Sequence, residues 1–181
     1  MEAEFDTHDT KVDGDTAPDG AAIAEASPVW QAAVRIFTDV PTDDLWMVAK
    51  DYCNLDWLSM VTGCVLLEGE GNTVGTVRRC TNDGPDAWFS DEKLVEIHHE
   101  TRSLTYQMVD SSFGWIEYRA TLSVRTDYDG RNFLQLKGQQ LPRGGSTEEV
   151  NVNFMRSAFG VFLTDLESKA RTLQLSRSVA S

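Results

Sequence analysis

The sequence predicts an α+β fold in which a bent antiparallel sheet of seven strands wraps around one long C-terminal helix. The middle of the chain is a series of strand-like runs separated by short turns rich in Gly, Asn and Asp, which is typical of antiparallel hairpins. No segment of helical length separates these runs, so parallel strands joined by crossover helices are excluded. One long amphipathic pattern follows the last strand and is the only segment large enough to cover the sheet.

Size and charge limit the classes of function. The chain has 181 residues, of which 41% are hydrophobic, and this is enough for one domain with a sizeable core. Its 29 acidic and 16 basic residues give a formal net charge of −13. A surface this acidic repels phosphate backbones and anionic lipids, so we expect neither a nucleic-acid partner nor a membrane partner.

The first 28 residues hold much of this acidity. They contain eight acidic residues and one basic residue, Lys11, and few large apolar side chains. Such a segment cannot bury enough surface to offset the entropy of ordering it, so we predict a disordered acidic tail at residues 1–28. A regulatory or targeting arm is the alternative interpretation. The folded domain is expected at residues 29–175, with a short C-terminal tail at residues 176–181.

The predicted elements follow one another in a simple order. Val29–Phe37 has the composition of a strand, and Pro41 followed by Thr and two Asp residues starts a short helix with acids in its first turn. Asn54–Val61 is expected to form a second short helix or a turn. Six more strands are predicted at Cys64–Glu68, Thr73–Thr81, Trp88–Ile97, Leu104–Val109, Trp115–Arg125 and Phe133–Leu141.

The long helix is predicted from about Ser146 to Thr172. Ser146 to Glu149 resemble a capping box, and apolar residues then recur every three or four positions. A sheet bent around one helix does not close tightly along its whole length. We therefore expect an internal cavity, lined by alternate strand residues, that takes a small apolar ligand.

The cysteines Cys53, Cys64 and Cys80 show no metal-finger or CxxC spacing, and their odd number argues against a disulfide framework. This favours a reducing compartment. The N-terminus is acidic, whereas a secretory signal begins with basic and then apolar residues. No run approaches the ~18 apolar residues of a membrane helix. We predict a cytoplasmic protein.

His98, His99 and Glu100 superficially suggest a metal site. Successive residues of a strand point to opposite faces, so these three side chains cannot converge on one ion without distortion. A solvated hairpin end is the better interpretation, and we predict no metal site.

Arg78 is the first candidate for chemistry. Alternation along the third strand places Val74, Thr76 and Arg78 on one face, with Val77 and Arg79 on the other. Two adjacent arginines on one strand cannot both face solvent. Arg78 therefore either points inward or covers apolar surface with its stem while its head reaches water.

Glu92 is the second candidate. It shares a face of its strand with Trp88 and Leu94, which would bury its carboxylate among apolar groups. A buried carboxylate is unfavourable unless it is paired, and Arg78 on the neighbouring strand could supply the partner. A structural ion pair, or a β-bulge that turns Glu92 outward, is the alternative.

Three aromatic residues, Tyr106, Trp115 and Tyr118, form the third group. Alternation places Ile116 and Tyr118 on the apolar face and Trp115 on the polar face. Tyr118 is thus expected to bring a hydroxyl into the core or cavity, where it needs a partner. The alternative is a core tyrosine that bonds to the backbone.

The runs 45–55 and 64–78 carry a family resemblance. With the Glu-Gly-Glu turn, the Val-Gly-Thr-Val-Arg run that ends at Arg78 and the Glu-Lys-Leu-Val run that begins at Glu92, the chain resembles the START/Bet v 1-like helix-grip superfamily. It is most similar to the polyketide cyclase/dehydrase-like branch, and within it to the plant lachrymatory-factor synthases. The resemblance covers about residues 30 to 170 and implies a helix-grip fold.

The resemblance also implies a function. Arg78, Glu92 and Tyr118 would be catalytic, carrying a proton transfer on a small, mostly apolar substrate without a cofactor. The reaction class would be an isomerase, cyclase or dehydratase-type lyase; the alternative is a non-catalytic carrier or sensor of a small hydrophobic ligand. The protein is expected to be a monomer or a homodimer. Eight further residues are predicted to bind the substrate: Trp57, Thr76, Trp88, Leu94, Tyr106, Phe154, Ala158 and Phe162.

Overall fold

Seven strands and two helices make up the computed structural model, which describes residues 29–180. The elements are β1 (Trp30–Thr38), α1 (Thr42–Ala49), β2 (Gly63–Glu68), β3 (Val77–Asn82), β4 (Trp88–His98), β5 (Ser103–Ser111), β6 (Ile116–Thr126), β7 (Asn132–Leu141) and α2 (Glu148–Ala180). The strands form one antiparallel sheet in the order β1-β7-β6-β5-β4-β3-β2. This confirms the predicted fold class. The predicted acidic tail at residues 1–28 lies outside the described residues.

The core lies between the sheet and α2. Strand residues such as Leu122 and Leu136 and helix residues such as Met155 and Leu163 are almost fully buried there. Each large apolar side chain buried in this way stabilises the fold by about 1.5–3 kcal/mol. None of the helices formed by residues 29–180 is long and apolar enough to cross a membrane.

The segment that follows α1 forms turns, so of the two alternatives predicted for Asn54–Val61 the turn is found and the second short helix is absent. The backbone N–H of Leu58 donates to the Leu55 carbonyl, and that of Val61 donates to the Leu58 carbonyl, so the segment has two successive turns of four residues. The Asn54 side chain accepts a hydrogen bond from the backbone N–H of Asp56 at 3.1 Å, which competes with helical bonding. These turns hold Leu55 and Leu58 against one end of the sheet.

Two other element ends differ from the sequence prediction. The third strand begins at Val77 and not at Thr73, because Gly75 has a φ of +98° and its N–H donates to the Leu94 carbonyl. Helix α2 does not end near Thr172 but continues to Ala180, so residues 176–180 are helical and do not form the expected tail. No Gly or Pro ends the helix there, and Arg177 pairs with Asp44 of α1 at 2.6 Å.

Candidate functional site

A cavity of about 280 Å³ lies between the sheet, the turns after α1 and α2. Arg78, Glu92, Ser90 and the two tyrosines Tyr106 and Tyr118 provide polar atoms in its wall, and most of the remaining wall is apolar or aromatic. An apolar enclosure with a few convergent polar groups is the usual form of a small-molecule site.

Arg78 and Glu92 stand directly opposite each other on β3 and β4. The Arg78 Nε and Nη2 atoms donate to the same carboxylate oxygen, Oε2, at 3.0 and 2.7 Å. Arg78 is buried and Glu92 is largely covered: the Arg78 side chain is 4% exposed and that of Glu92 is 12% exposed. A third donor of Arg78, Nη1, bonds to the backbone carbonyl of Tyr52. The sheet register and this carbonyl together fix the guanidinium.

The other carboxylate oxygen of Glu92 is held far less. Oε1 accepts one hydrogen bond within the described part of the chain, from the Ser90 hydroxyl at 3.0 Å. Because a carboxylate has about four acceptor sites, Oε1 keeps the capacity to accept from a ligand or to take a proton. Ser90 and Glu92 both line the cavity.

The Arg78 guanidinium stays charged in this setting. Burial alone would lower the pKa of Arg78, but the opposed Glu92 carboxylate holds that pKa well above its ordinary value. The guanidinium carbon also lies 3.9 Å from the centre of the Tyr52 ring, whose face attracts a cation. The cavity therefore has one permanent cation in its wall.

Tyr106 and Tyr118 supply neutral hydroxyl groups. Burial raises the pKa of both phenols, so both stay protonated at neutral pH. Both side chains line the cavity, with their ring centres 6.3 Å apart. A protonated phenol has one O–H group that can donate to a ligand.

The Trp115 side chain lies in the cavity wall, so its predicted place on the polar face is wrong. Its ring stacks on that of Tyr118 with centres 4.5 Å apart, whereas Ile116 is 45% exposed. Between the pairs with β7 at Ile116 and Arg119, β6 has two residues where β7 has one, and Glu117 has a φ of +51°. This β-bulge breaks the alternation of side chains and turns the indole inward.

The structure brings most of the sequence-predicted site residues together. Besides Arg78, Glu92 and Tyr118, five predicted binding residues line the cavity: Trp88, Tyr106, Phe154, Ala158 and Phe162. Phe154 is 47% exposed, so it lies where the cavity meets solvent. The catalytic and binding roles of these residues stay predictions.

Three predicted binding residues do not line the cavity. Thr76 and Leu94 are completely buried, and the Leu94 N–H donates to the Thr76 carbonyl two residues beyond Arg78 and Glu92. The ion pair therefore closes the cavity before it reaches them. Trp57 lies behind the wall: its ring meets Phe162 edge-on at 5.2 Å, and its indole N–H donates to the Asn54 carbonyl.

Sequence reasoning also missed several lining residues. Ser90 and Cys80 lie two positions from Glu92 and Arg78 on the same strand faces, so alternation could have found both. Phe113 follows no such rule, because it lies in the loop between β5 and β6. Its ring stacks on Trp115 at 5.0 Å and packs on Trp88 at 5.4 Å, so that it links the two indoles.

Comparisons with known proteins agree with this architecture. Residues 29–171 match the model of a family described as polyketide cyclase / dehydrase and lipid transport.

Three solved structures share the fold. A protein from Nitrosospira multiformis is 21% identical, with a TM-score of 0.63, over 77% of this chain and 94% of its own. The protein XoxI from Bacillus cereus is 20% identical, with a TM-score of 0.67, over 80% of this chain and 97% of its own. An uncharacterised protein from Bacillus thuringiensis is 23% identical, with a TM-score of 0.65, over 76% of this chain and 96% of its own.

Proposed function

The chain belongs to the polyketide cyclase/dehydrase and lipid transport family, and from this membership and the cavity we propose that it catalyses a proton transfer on a small, mostly apolar substrate. The reaction would be an isomerisation, a cyclisation or a dehydration. Each of these reactions moves a proton, and a carboxylate is a sufficient base and acid for that step. The proposed base and acid is Glu92.

The asymmetry of the Glu92 carboxylate carries this proposal. Arg78 holds Oε2 through two donors, and Oε1 accepts only from Ser90 in the part of the chain that the structure describes. A carboxylate fixed by one oxygen presents the other in a defined position. In the proposed mechanism Oε1 takes a proton from a carbon next to a substrate carbonyl and returns it to another atom of the same molecule.

Negative charge develops on the substrate oxygen when that proton leaves, and the cavity has donors to stabilise it. Three of the five N–H groups of Arg78 are used by Glu92 and Tyr52, which leaves two for a ligand. A hydroxyl of Tyr106 or Tyr118, which both line the cavity, can give one further hydrogen bond. Fixed donors at the point where charge develops are a large source of rate acceleration in enzymes.

The wall indicates the chemistry of the substrate. The charged groups belong to β3 and β4, whereas Phe113, Trp115 and Phe154 provide an aromatic wall elsewhere in the cavity. A flat, apolar molecule the size of two fused rings, with one oxygen at its end, matches this division in a volume of about 280 Å³. We therefore use 2-tetralone, a bicyclic ketone with acidic C–H groups, as a model substrate.

The second candidate is a carrier that holds an apolar ligand unchanged. The family description includes lipid transport, and the aromatic wall would bind such a ligand without chemistry. In that case Arg78 and Glu92 would form a structural ion pair, which fixes the end of the cavity.

Proton exchange distinguishes the two candidates. The protein is incubated with 2-tetralone in D₂O, and loss of the C–H signals next to the carbonyl is followed by NMR, with buffer alone as the background. We expect exchange above the background that saturates with ketone and is inhibited by 2-naphthol, which has the same ring size and a hydroxyl. Binding of 2-naphthol without any exchange, together with an unaltered lipid that co-purifies with the protein, would support the carrier.

A further inference from the structure

Two thiols face each other across the edge of the sheet. Cys64 on β2 and Cys80 on β3 are directly opposed partners of the antiparallel ladder, and both are free cysteines. Opposed residues of neighbouring antiparallel strands have Cβ atoms about 4.5–5.5 Å apart on the same face of the sheet. Their Cα separation falls within the ~4.4–6.8 Å that a disulfide spans. The backbone therefore places the two thiol side chains next to each other on one face of the sheet.

The two thiols have different access to solvent. Cys80 is 2% exposed and lies in the cavity wall, two residues from Arg78. Cys64 is half-buried on β2, which is an edge strand of the sheet. A small oxidant can therefore reach Cys64 first, and a product that forms there has Cys80 beside it.

The two thiols also differ in reactivity. The hydrogen bond with Cys80 lowers the pKa of Cys64 to about 7, whereas the same bond and burial raise the pKa of Cys80. Burial raises the pKa of the third thiol, Cys53, as well. Because the thiolate is the nucleophilic form, Cys64 is the attacking sulfur at neutral pH and Cys80 is the resolving thiol.

We propose that Cys64 and Cys80 form a peroxide-sensitive modification site that closes to a disulfide in the cavity wall. The Cys64 thiolate attacks one oxygen of a hydroperoxide, the O–O bond breaks, and Cys64 becomes a sulfenic acid while the peroxide leaves as hydroxide or alkoxide. The Cys80 sulfur then attacks the Cys64 sulfur, an S–S bond forms, and water leaves. For hydrogen peroxide, two thiols lose two electrons and two protons, and two water molecules result.

The third cysteine provides a matched control. Cys53 lies close to the pair, since the Cys64 thiol donates to the Cys53 carbonyl at 3.4 Å, but the Cys53 thiol itself is directed to the Gly71 carbonyl at 3.2 Å. Cys53 has no directly opposed cysteine in the sheet formed by the described residues. It should therefore stay reduced when the Cys64–Cys80 bond forms.

The test is oxidation of the reduced, full-length protein with hydrogen peroxide at pH 7, followed by intact mass and non-reducing peptide mapping. We expect loss of two hydrogen masses, two fewer free thiols and a peptide that links Cys64 to Cys80. Cys53→Ser should keep all three results, whereas Cys64→Ser and Cys80→Ala should abolish the linked peptide. A bridge to Cys53, a dimer linked through Cys64, or a fully thiol-titratable chain after treatment would overturn the proposal.

A second measurement separates the reactivity of Cys64 from a general opening of the fold. Iodoacetamide labelling, resolved by peptide, should half-saturate near pH 7 at Cys64 and at a higher pH at Cys53. Cys80→Ala removes the hydrogen bond, so Cys64 labelling in that variant should move to higher pH. Labelling of Cys64 and Cys53 with the same pH dependence in the native protein would contradict the assignment of Cys64 as the attacking thiol.

Discussion

Two arginine–carboxylate pairs stand one residue apart on β3 and β4, and they lie on opposite faces of the sheet. In the outer pair, Arg79 donates from Nε and Nη2 to the two separate oxygens of Asp91, at 2.7 Å each. In the inner pair, Arg78 donates from Nε and Nη2 to one oxygen of Glu92 and from Nη1 to the Tyr52 carbonyl. The register is the same for both pairs, so the strands do not cause the difference.

The difference lies in the arginines, because both carboxylates are little exposed, Asp91 at 9% and Glu92 at 12%. Arg79 is 41% exposed and its symmetrical fork leaves no oxygen of Asp91 unpaired, so the outer pair is complete by itself. Arg78 is 4% exposed, and the Tyr52 carbonyl draws its guanidinium to one side, which leaves Oε1 of Glu92 available in the cavity. Two pairs of the same kind thus differ in use: the outer one holds the strands together, and the inner one presents a reactive oxygen.

The largest expected effect is on stability, and it follows from Arg78→Leu. This change leaves the Glu92 carboxylate buried without a counter-charge, and removal of one partner of a buried pair costs about 3–5 kcal/mol. Urea unfolding should show a loss of this size. The matched variant is Arg79→Leu, whose loss should be much smaller because the Arg79 side chain is 41% exposed and solvent already screens its charge. Equal losses in the two variants would show that the two pairs are not distinguished by burial.

A smaller effect is expected from Ser90→Ala, which removes the hydroxyl that bonds to Oε1 of Glu92 at 3.0 Å. A hydrogen bond to a charged group is worth about 1.5–3 kcal/mol, so the exchange rate of 2-tetralone should fall by roughly 10-fold or more. Binding of 2-naphthol should change little, because Ser90 positions the carboxylate and does not form the aromatic wall. A loss of binding with an unchanged exchange rate of the bound ketone would refute this positioning role.

The smallest effect is the response to salt. At 1 M salt the screening length falls to about 3 Å, which weakens interactions between exposed charges but leaves buried ones largely unscreened. The stability difference between the native protein and Arg79→Leu should therefore shrink in 1 M NaCl, while that of Arg78→Leu should persist. The measurement is again urea unfolding, at low and high salt. A difference for Arg78→Leu that disappears with salt would place the inner pair in contact with solvent.

The sequence indicated the inner pair but left alternatives open. Alternation and the unfavourable burial of an unpaired carboxylate made Arg78 a possible partner of Glu92, but an Arg78 head that reaches water, or a β-bulge that turns Glu92 outward, was also compatible with the pattern. The fold class followed from the element order. Alternation could not predict the hydrogen bond from Arg78 to the Tyr52 carbonyl. Tyr52 lies in the segment after α1, and no local sequence pattern encodes that contact.

The alternation of side chains gives wrong faces where the pairing of two strands is irregular. The β-bulge near Glu117 reverses the faces of Ile116 and Trp115. The alternation of polar and apolar residues along the sequence does not reveal a single residue in a left-handed conformation. Thr76 and Leu94 have the correct face but lie beyond the ion pair, and the end of a cavity depends on side-chain packing in three dimensions. Residues 54–61 form turns, which was one of the two predicted alternatives, because a side-chain bond to Asn54 competes with helical bonding.

The proposed proton transfer depends on Glu92 and not merely on any paired carboxylate of this sheet. The sharpest test compares Glu92→Gln with Asp91→Asn, which make the same chemical change one residue apart on opposite faces, in the D₂O exchange of 2-tetralone. We expect a loss of at least ~10²-fold for Glu92→Gln, the lower end of what general acid–base catalysis contributes, with 2-naphthol binding retained. For Asp91→Asn we expect a rate close to that of the native protein. An exchange rate in Glu92→Gln within a few-fold of the native value would exclude Glu92 as the base and leave Arg78 and Glu92 as a structural pair.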